Sequence, residues 1–305
     1  MARFPDNKRF AFTVFDDTDS GTVANLTPVY DHLHILGMRT TKSVWPLQSV
    51  PEGKIGGASL ADAEYLRFIL GLKQRGFEIA LHGVRNHDAP RELIKKGLDR
   101  FRELVGHRPR IHCNHSTNRD NIYWGNARFS HPLVKFAYGA KRLRKSGWFQ
   151  GHIKGTPYFW GDLCRERIKY VRNLTFDEIN LDRVNPTLPY KDPHRSYVNY
   201  WFSSSDGADC RKFCDLLSED NQDRLAAEGG VCIVYTHFAS GFVSDTGQLN
   251  PRFAELTTRL GKLGGWFVPV GELLDHLRST RKDPVIPTSE LMSMEWRWLL
   301  EKFQR

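Results

Sequence analysis

The run Phe10-Ala11-Phe12-Thr13-Val14-Phe15 ends in two adjacent carboxylates, Asp16 and Asp17. An unbroken apolar run of this length, rich in aromatic and β-branched residues, is the pattern of a strand buried on both faces. Such strands belong to parallel sheets covered by helices, which restricts the chain to α/β architectures. Carboxylates at a buried strand exit resist ionising unless a cation or proton donor is close, and Asp is rarely buried unpaired. The strand end is therefore expected to meet a metal, a catalytic proton or a ligand.

The rest of the chain repeats the alternation. Strand-like runs fall at 38–45, 77–81, 110–113, 230–235 and 266–270, and helical rhythms at 23–36, 58–75, 88–105, 253–263 and 272–281. Ser59 and Asp62 have the spacing of a capping box, and Gly76 stands where a helix would stop. A last helical segment, 289–303, carries Met292, Met294, Trp296, Trp298 and Leu299. Between about 116 and 206 periodicity weakens, and the stretch reads as a large insertion in a single domain spanning 1–305. Strand–helix alternation predicts parallel strands with helical crossovers, whose active sites gather at the carboxyl ends of the strands.

Four strand exits carry chemically capable groups. They are Asp16-Asp17, His82 with His87 five residues on, His112-Cys-Asn-His115, and Thr236-His237. Each has an ordinary reading alone: an Asp pair also caps a following segment, and a histidine beside Tyr235 and Phe238 also suits a core. Together, on successive strands of one sheet, they would share one rim, and Asp with two His is a facial set for a divalent metal. On a helix His82 and His87 would lie about 140° apart. They are better placed on a strand end and at the next helix mouth, with Gly83 making the turn.

These residues resemble the polysaccharide deacetylases, the carbohydrate esterases that share the nodulation-protein deacetylase domain. Thr13-Val-Phe-Asp-Asp17 is similar to the family's Thr-Phe-Asp-Asp with one residue inserted. His82-Gly-Val-Arg-Asn-His87 is similar to its His-x3-His with one extra residue, and Ile233-Val-Tyr-Thr-His237 to its last strand and histidine. The resemblance covers roughly 8–115 and 228–280. It implies an irregular (β/α)7 TIM-like barrel, here with the 116–206 insertion and a C-terminal helix. It also implies a divalent metal, usually zinc, held by Asp17, His82 and His87, with Asp16 as general base and His237 as general acid. His115 is a further candidate ligand or substrate contact. Arg110 occupies the place of the family's third motif, and with Trp160 and Trp201 it is a candidate for substrate binding.

The resemblance thus implies a metal-dependent deacetylase, an amide hydrolase acting on an N-acylated carbohydrate such as a surface-polysaccharide precursor. The alternative is a non-catalytic glycan-binding protein with a degenerate metal site. Forty-four basic against 35 acidic residues give a formal charge of +9, which favours an anionic substrate or surface. A basic segment, Lys135 to Lys145, suits peripheral contact with an anionic membrane. No nucleic-acid-binding motif is visible. The amino terminus lacks the apolar core of a secretory signal, no 18-residue apolar stretch exists, and the five cysteines are scattered. These features lead to the expectation of a cytoplasmic protein, associated at most with the inner face of the membrane.

Overall fold

The computed structural model describes residues 4–115, 117–142, 147–280 and 285–303. In chain order its elements are β1 (Ala11–Asp16), α1 (Val23–Ile35), β2 (Thr41–Val44), α2 (Ala63–Gln74), β3 (Glu78–Leu81), α3 (Arg91–Val105), β4 (Ile111–His112), α4 (Pro132–Arg142), α5 (Gly161–Arg167), β5 (Tyr170–Phe176), β6 (Tyr200–Asp206), α6 (Cys210–Leu216), α7 (Glu219–Glu228), β7 (Val231–Thr236), α8 (Pro251–Gly261), α9 (Val270–Thr280) and α10 (Thr288–Phe303). The seven strands close a barrel in sequence order, every pairing parallel. All strand exits therefore meet at one rim.

The first strand behaves as its composition demands. Phe10, Phe12, Val14 and Phe15 are buried, and Ala11 to Asp16 pair continuously with Val231 to Thr236. Each such side chain contributes roughly 1.5–3 kcal/mol of burial. The neighbouring helix starts at a reciprocal cap: Thr22 N–H donates to Asn25 Oδ1 at 2.8 Å, and Asn25 N–H to Thr22 Oγ1 at 3.3 Å.

Three sequence expectations change. The segment 266–270 is not a barrel strand. Trp266 makes one bridge to β1, its N–H donating to Phe10 O at 2.8 Å and its carbonyl accepting from Phe12 at 3.0 Å. It fills the gap where β1 has not yet met β2, whose pairing covers only Phe15 and Asp16. Pro269 has no N–H with which to extend the ladder. The 116–206 stretch is not one insertion, because it supplies both β5 and β6. Their sequences, Tyr-Val-Arg-Asn-Leu-Thr-Phe and Tyr-Trp-Phe-Ser-Ser-Ser-Asp, bury polar side chains and so lack an apolar run. The true elaborations are 113–169 and 177–199. The Ser59–Asp62 box closes a turn ahead of α2: Ser59 N–H donates to Asp62 Oδ2 at 2.7 Å, and the helix starts at Ala63.

The C-terminal helix, α10, packs on α4 and β5. Of the basic segment on α4, residues 143–146 lie outside the described residues, as does Arg281 beyond α9. No helix among the described residues is long and apolar enough to cross a membrane.

Candidate metal centre

Side chains on a strand alternate between faces, so Asp16 and Asp17 cannot both enter the barrel mouth. Asp16 turns outward. Its Oδ2 sits 2.8 Å from Lys42 Nζ and accepts from the Tyr30 hydroxyl at 2.9 Å, while Oδ1 accepts from Phe238 N–H at 2.9 Å. Asp16 and Lys42 are both fully buried. Burial alone would lower the Lys42 pKa, but Asp16 reverses this and holds the ammonium charged. Asp16 is thus consumed by a buried ion pair under the helical layer, away from the cavity that its expected role as general base requires.

Asp17 faces inward and is gripped by Arg172 of β5. Arg172 Nη1 donates to Oδ1 at 2.9 Å and Nη2 to Oδ2 at 2.6 Å. Burial pushes the Asp17 carboxyl up, but the Arg172 guanidinium and the nearby histidines outweigh it and hold the group below the ordinary carboxylate range. Such a bidentate pair fixes orientation as well as charge.

Two residues beyond, Asp19 shares the inward face. Its Oδ1 lies 3.3 Å from His82 Nε2 and 3.4 Å from His115 Nε2, and its Oδ2 lies 3.4 Å from His237 Nε2. Burial raises the Asp19 carboxyl, yet the three imidazoles drive it well below the ordinary range. His82 follows β3, with Gly83 at φ 67° making the turn. His115 lies beyond the end of β4, and its Nδ1 is 3.0 Å from Asn118 Oδ1. That contact places the ring proton on Nδ1 and turns Nε2 inward as a lone-pair donor.

Asp19 Oδ1, His82 Nε2 and His115 Nε2 are buried and have no hydrogen-bond partner. Buried polar atoms are almost always paired. Three unpartnered ligand atoms within 4.8 Å of one another form the donor set that a divalent cation satisfies. Among the described residues a second, overlapping group exists, Asp17, His82 and Cys113. It suits a cation less well, because both Asp17 oxygens are held by Arg172.

His237 completes the rim at the exit of β7. Its Nδ1–H donates to Ala208 O at 2.8 Å, and Nε2 points at Asp19. Burial disfavours its charge, but Asp19 and Asp17 overcome that and raise its pKa to about 9. Asp17, Asp19, His82, Arg172 and His237 line a cavity of about 530 Å³ that is also lined by Trp124, Arg128, Asn173 and Tyr235.

The other expected residues lie elsewhere. His87 is half-buried and does not line the cavity; its carbonyl accepts from Asn118 Nδ2 at 3.0 Å. Arg110 precedes β4 at the opposite rim and pairs with Asp275. Trp160 is core, its indole N–H donating to Asp120 O at 2.6 Å and its ring 5.1 Å from His112, edge to face. Trp201, near the start of β6, packs against Tyr123 with ring centroids 6.2 Å apart. His112 is a buried core histidine whose pKa burial pulls down to about 3. Sequence reasoning missed Asp19 and Arg172. For the first, the signal was a further carboxylate two residues past Asp17, in the turn that follows β1. For Arg172, an arginine amid β-branched and apolar residues was the only hint.

No family model matches the sequence, and no curated protein matches it. Solved structures do. A candidate polysaccharide deacetylase from Mycobacterium smegmatis aligns over 93% of this chain and 96% of its own, at 13% identity and TM-score 0.54. Puue allantoinase aligns over 92% and 94%, at 13% and 0.53. A candidate polysaccharide deacetylase from Pseudomonas aeruginosa PAO1 aligns over 91% and 94%, at 13% and 0.50. At these identities the likeness is one of fold, and the chain carries the seven-stranded barrel of the polysaccharide deacetylases.

Proposed function

We propose that this protein is a metal-dependent amide hydrolase that removes an acyl group from an N-acylated sugar. The carrying observation is the convergence of three unpartnered ligand atoms, from Asp19, His82 and His115, beside an Arg-held carboxylate and a charged histidine. In this reading Asp19, His82 and His115 hold the metal, and zinc suits the donor set. When bound, such an ion polarises a carbonyl and makes water more acidic.

The chain's own groups do the rest. Asp17, kept ionised and aimed by Arg172, takes the proton of the attacking water as general base. His237, charged at neutral pH, donates a proton from Nε2 to the leaving nitrogen. Its Nδ1–H bond to Ala208 O keeps the ring edge turned toward the cavity. The water oxygen bonds to the acyl carbon and the C–N bond breaks as nitrogen takes the His237 proton, which yields a carboxylate and a free amine.

A sugar is favoured because Trp124 and Tyr235 line the cavity together with Asn114, Asn173 and Ser240, the mixture of aromatic and sparse polar groups that orients a small ligand. The same barrel in an allantoinase is a reminder that fold does not set the substrate. The test is acetate release from N-acetylated monosaccharides, sugar nucleotides and oligosaccharides, with hydrolytic ring opening of allantoin in parallel. Turnover that is lost with a chelator and restored by zinc supports the reading. Metal-independent turnover, or none on any amide, overturns it.

A further inference from the structure

We propose that Cys113 is a positioning residue whose thiol links His82 to Asp17, accepting the Nδ1–H of the first and donating its S–H to the second. This rests on the metal-site reading above. Cys113 follows β4, and its backbone N–H donates to Leu81 O at 3.0 Å, extending the β3–β4 ladder. That bond fixes the thiol between the two side chains. Sγ lies 2.7 Å from His82 Nδ1 and 3.3 Å from Asp17 Oδ1, and it is fully buried.

The hydrogen count closes in one way. The contact to Asp17 runs from thiol to carboxylate, so sulfur holds one hydrogen to give and lone pairs to receive. Asp17, an ionised carboxylate, can only accept, so the S–H points to it. The Leu81 carbonyl, at 3.6 Å, is the more distant acceptor. Sulfur can then meet His82 only as an acceptor, which places the ring proton on Nδ1. The opposite nitrogen, Nε2, is left bare toward Asp19 and His115, where it has no partner. The thiol therefore sets the tautomer of one metal ligand and does so from the carboxylate that acts as base. A partner to the far nitrogen of a ligating histidine typically governs metal affinity by 10–100-fold.

The experiment compares wild type with Cys113→Ala and Cys113→Ser, each checked for fold by circular dichroism. Zinc affinity is measured by competition with a chromogenic chelator. The His82 tautomer is read from ring 15N shifts in the metal-free proteins at mildly alkaline pH. The expected result is a Nδ1–H tautomer in wild type, a shift toward Nε2–H in Cys113→Ala with roughly 10–100-fold weaker zinc binding, and partial recovery of both in Cys113→Ser. A Nε2–H tautomer in wild type overturns the linkage without recourse to any variant. So does an Ala variant that binds zinc as wild type does with its tautomer unchanged, which is what a packing role alone would give. Wild type that binds no zinc overturns the site reading itself, and the linkage with it.

Discussion

Arg172 grips Asp17 through two parallel hydrogen bonds, at 2.9 and 2.6 Å, across the barrel from β5 to the exit of β1. In the proposed reading this pair shifts both tasks along the chain: Asp17, a metal ligand by the family resemblance, serves proton transfer in place of Asp16, and Asp19 binds the metal in place of Asp17. Asp17→Asn is expected to keep the metal and to lower kcat by roughly 10²–10⁴-fold, the usual worth of a positioned base. KM should change little. The variant should also be less stable by about 3–5 kcal/mol, because Arg172 is left buried without its counter-charge. Steady-state kinetics on metal-loaded protein and urea unfolding measure the two effects separately.

Asp16 should behave differently. Its partners are Lys42, Tyr30 and the Phe238 amide, all of them structural. Asp16→Asn strands the Lys42 charge and is predicted to cost about 3–5 kcal/mol, with activity lost only in proportion to unfolded protein. Replacing both members, Asp16→Leu with Lys42→Met, should recover much of that loss. A catalytic loss of 10²-fold or more in fully folded Asp16→Asn, the size expected of a lost base, would return the role of base to this residue.

His237 offers a test by leaving group. An amide needs its nitrogen protonated before it departs, whereas an activated aryl ester does not. His237→Asn is predicted to slow amide hydrolysis by about 10²–10⁴-fold and to slow aryl acetate hydrolysis far less. Equal losses on both substrates would show that the histidine serves the attack rather than the departure.

Stability should fall as pH rises through neutrality, and Asp120 is one cause. It is buried, its Oδ1 accepts from Ala89 N–H at 2.9 Å, and burial lifts its carboxyl from 3.8 to about 7. Between those values the folded chain holds a proton that the unfolded chain has lost. The associated stability is complete below the lower value and is lost as pH passes the upper one, by roughly 4 kcal/mol at full ionisation. Asp120→Asn removes this titration. The difference in unfolding free energy between variant and wild type should therefore grow in the variant's favour from about pH 4 to about pH 8. A difference independent of pH would contradict the assignment.

Legibility followed the physics of the barrel. The strands β1, β3 and β7 carry apolar residues on both faces, so their runs and their exits, Asp17, His82 and His237, were visible in the sequence. β5 and β6 were hidden because they bury polar side chains on both faces: Arg172, Asn173 and Ser203 to Ser205 interrupt the runs that would have marked them. The adjacent Asp16-Asp17 pair drew attention to the right strand end, but neighbouring residues face opposite ways, and the second inward carboxylate is Asp19. The His82–His87 spacing suggested a ligand pair, whereas the chain after Gly83 carries His87 away and the exit of β4 delivers His115. Trp160 and Trp201 had no periodic context to distinguish core from platform, and both turned out to be core.

The most direct measurement is metal content by elemental analysis of purified wild type beside Asp19→Ala, His82→Ala, His115→Ala and His87→Ala, after loading with zinc and desalting. The account predicts about one equivalent per chain in wild type and in His87→Ala, and a loss of bound metal in the other three. Metal retained in Asp19→Ala and His115→Ala, with loss in His87→Ala, would contradict it.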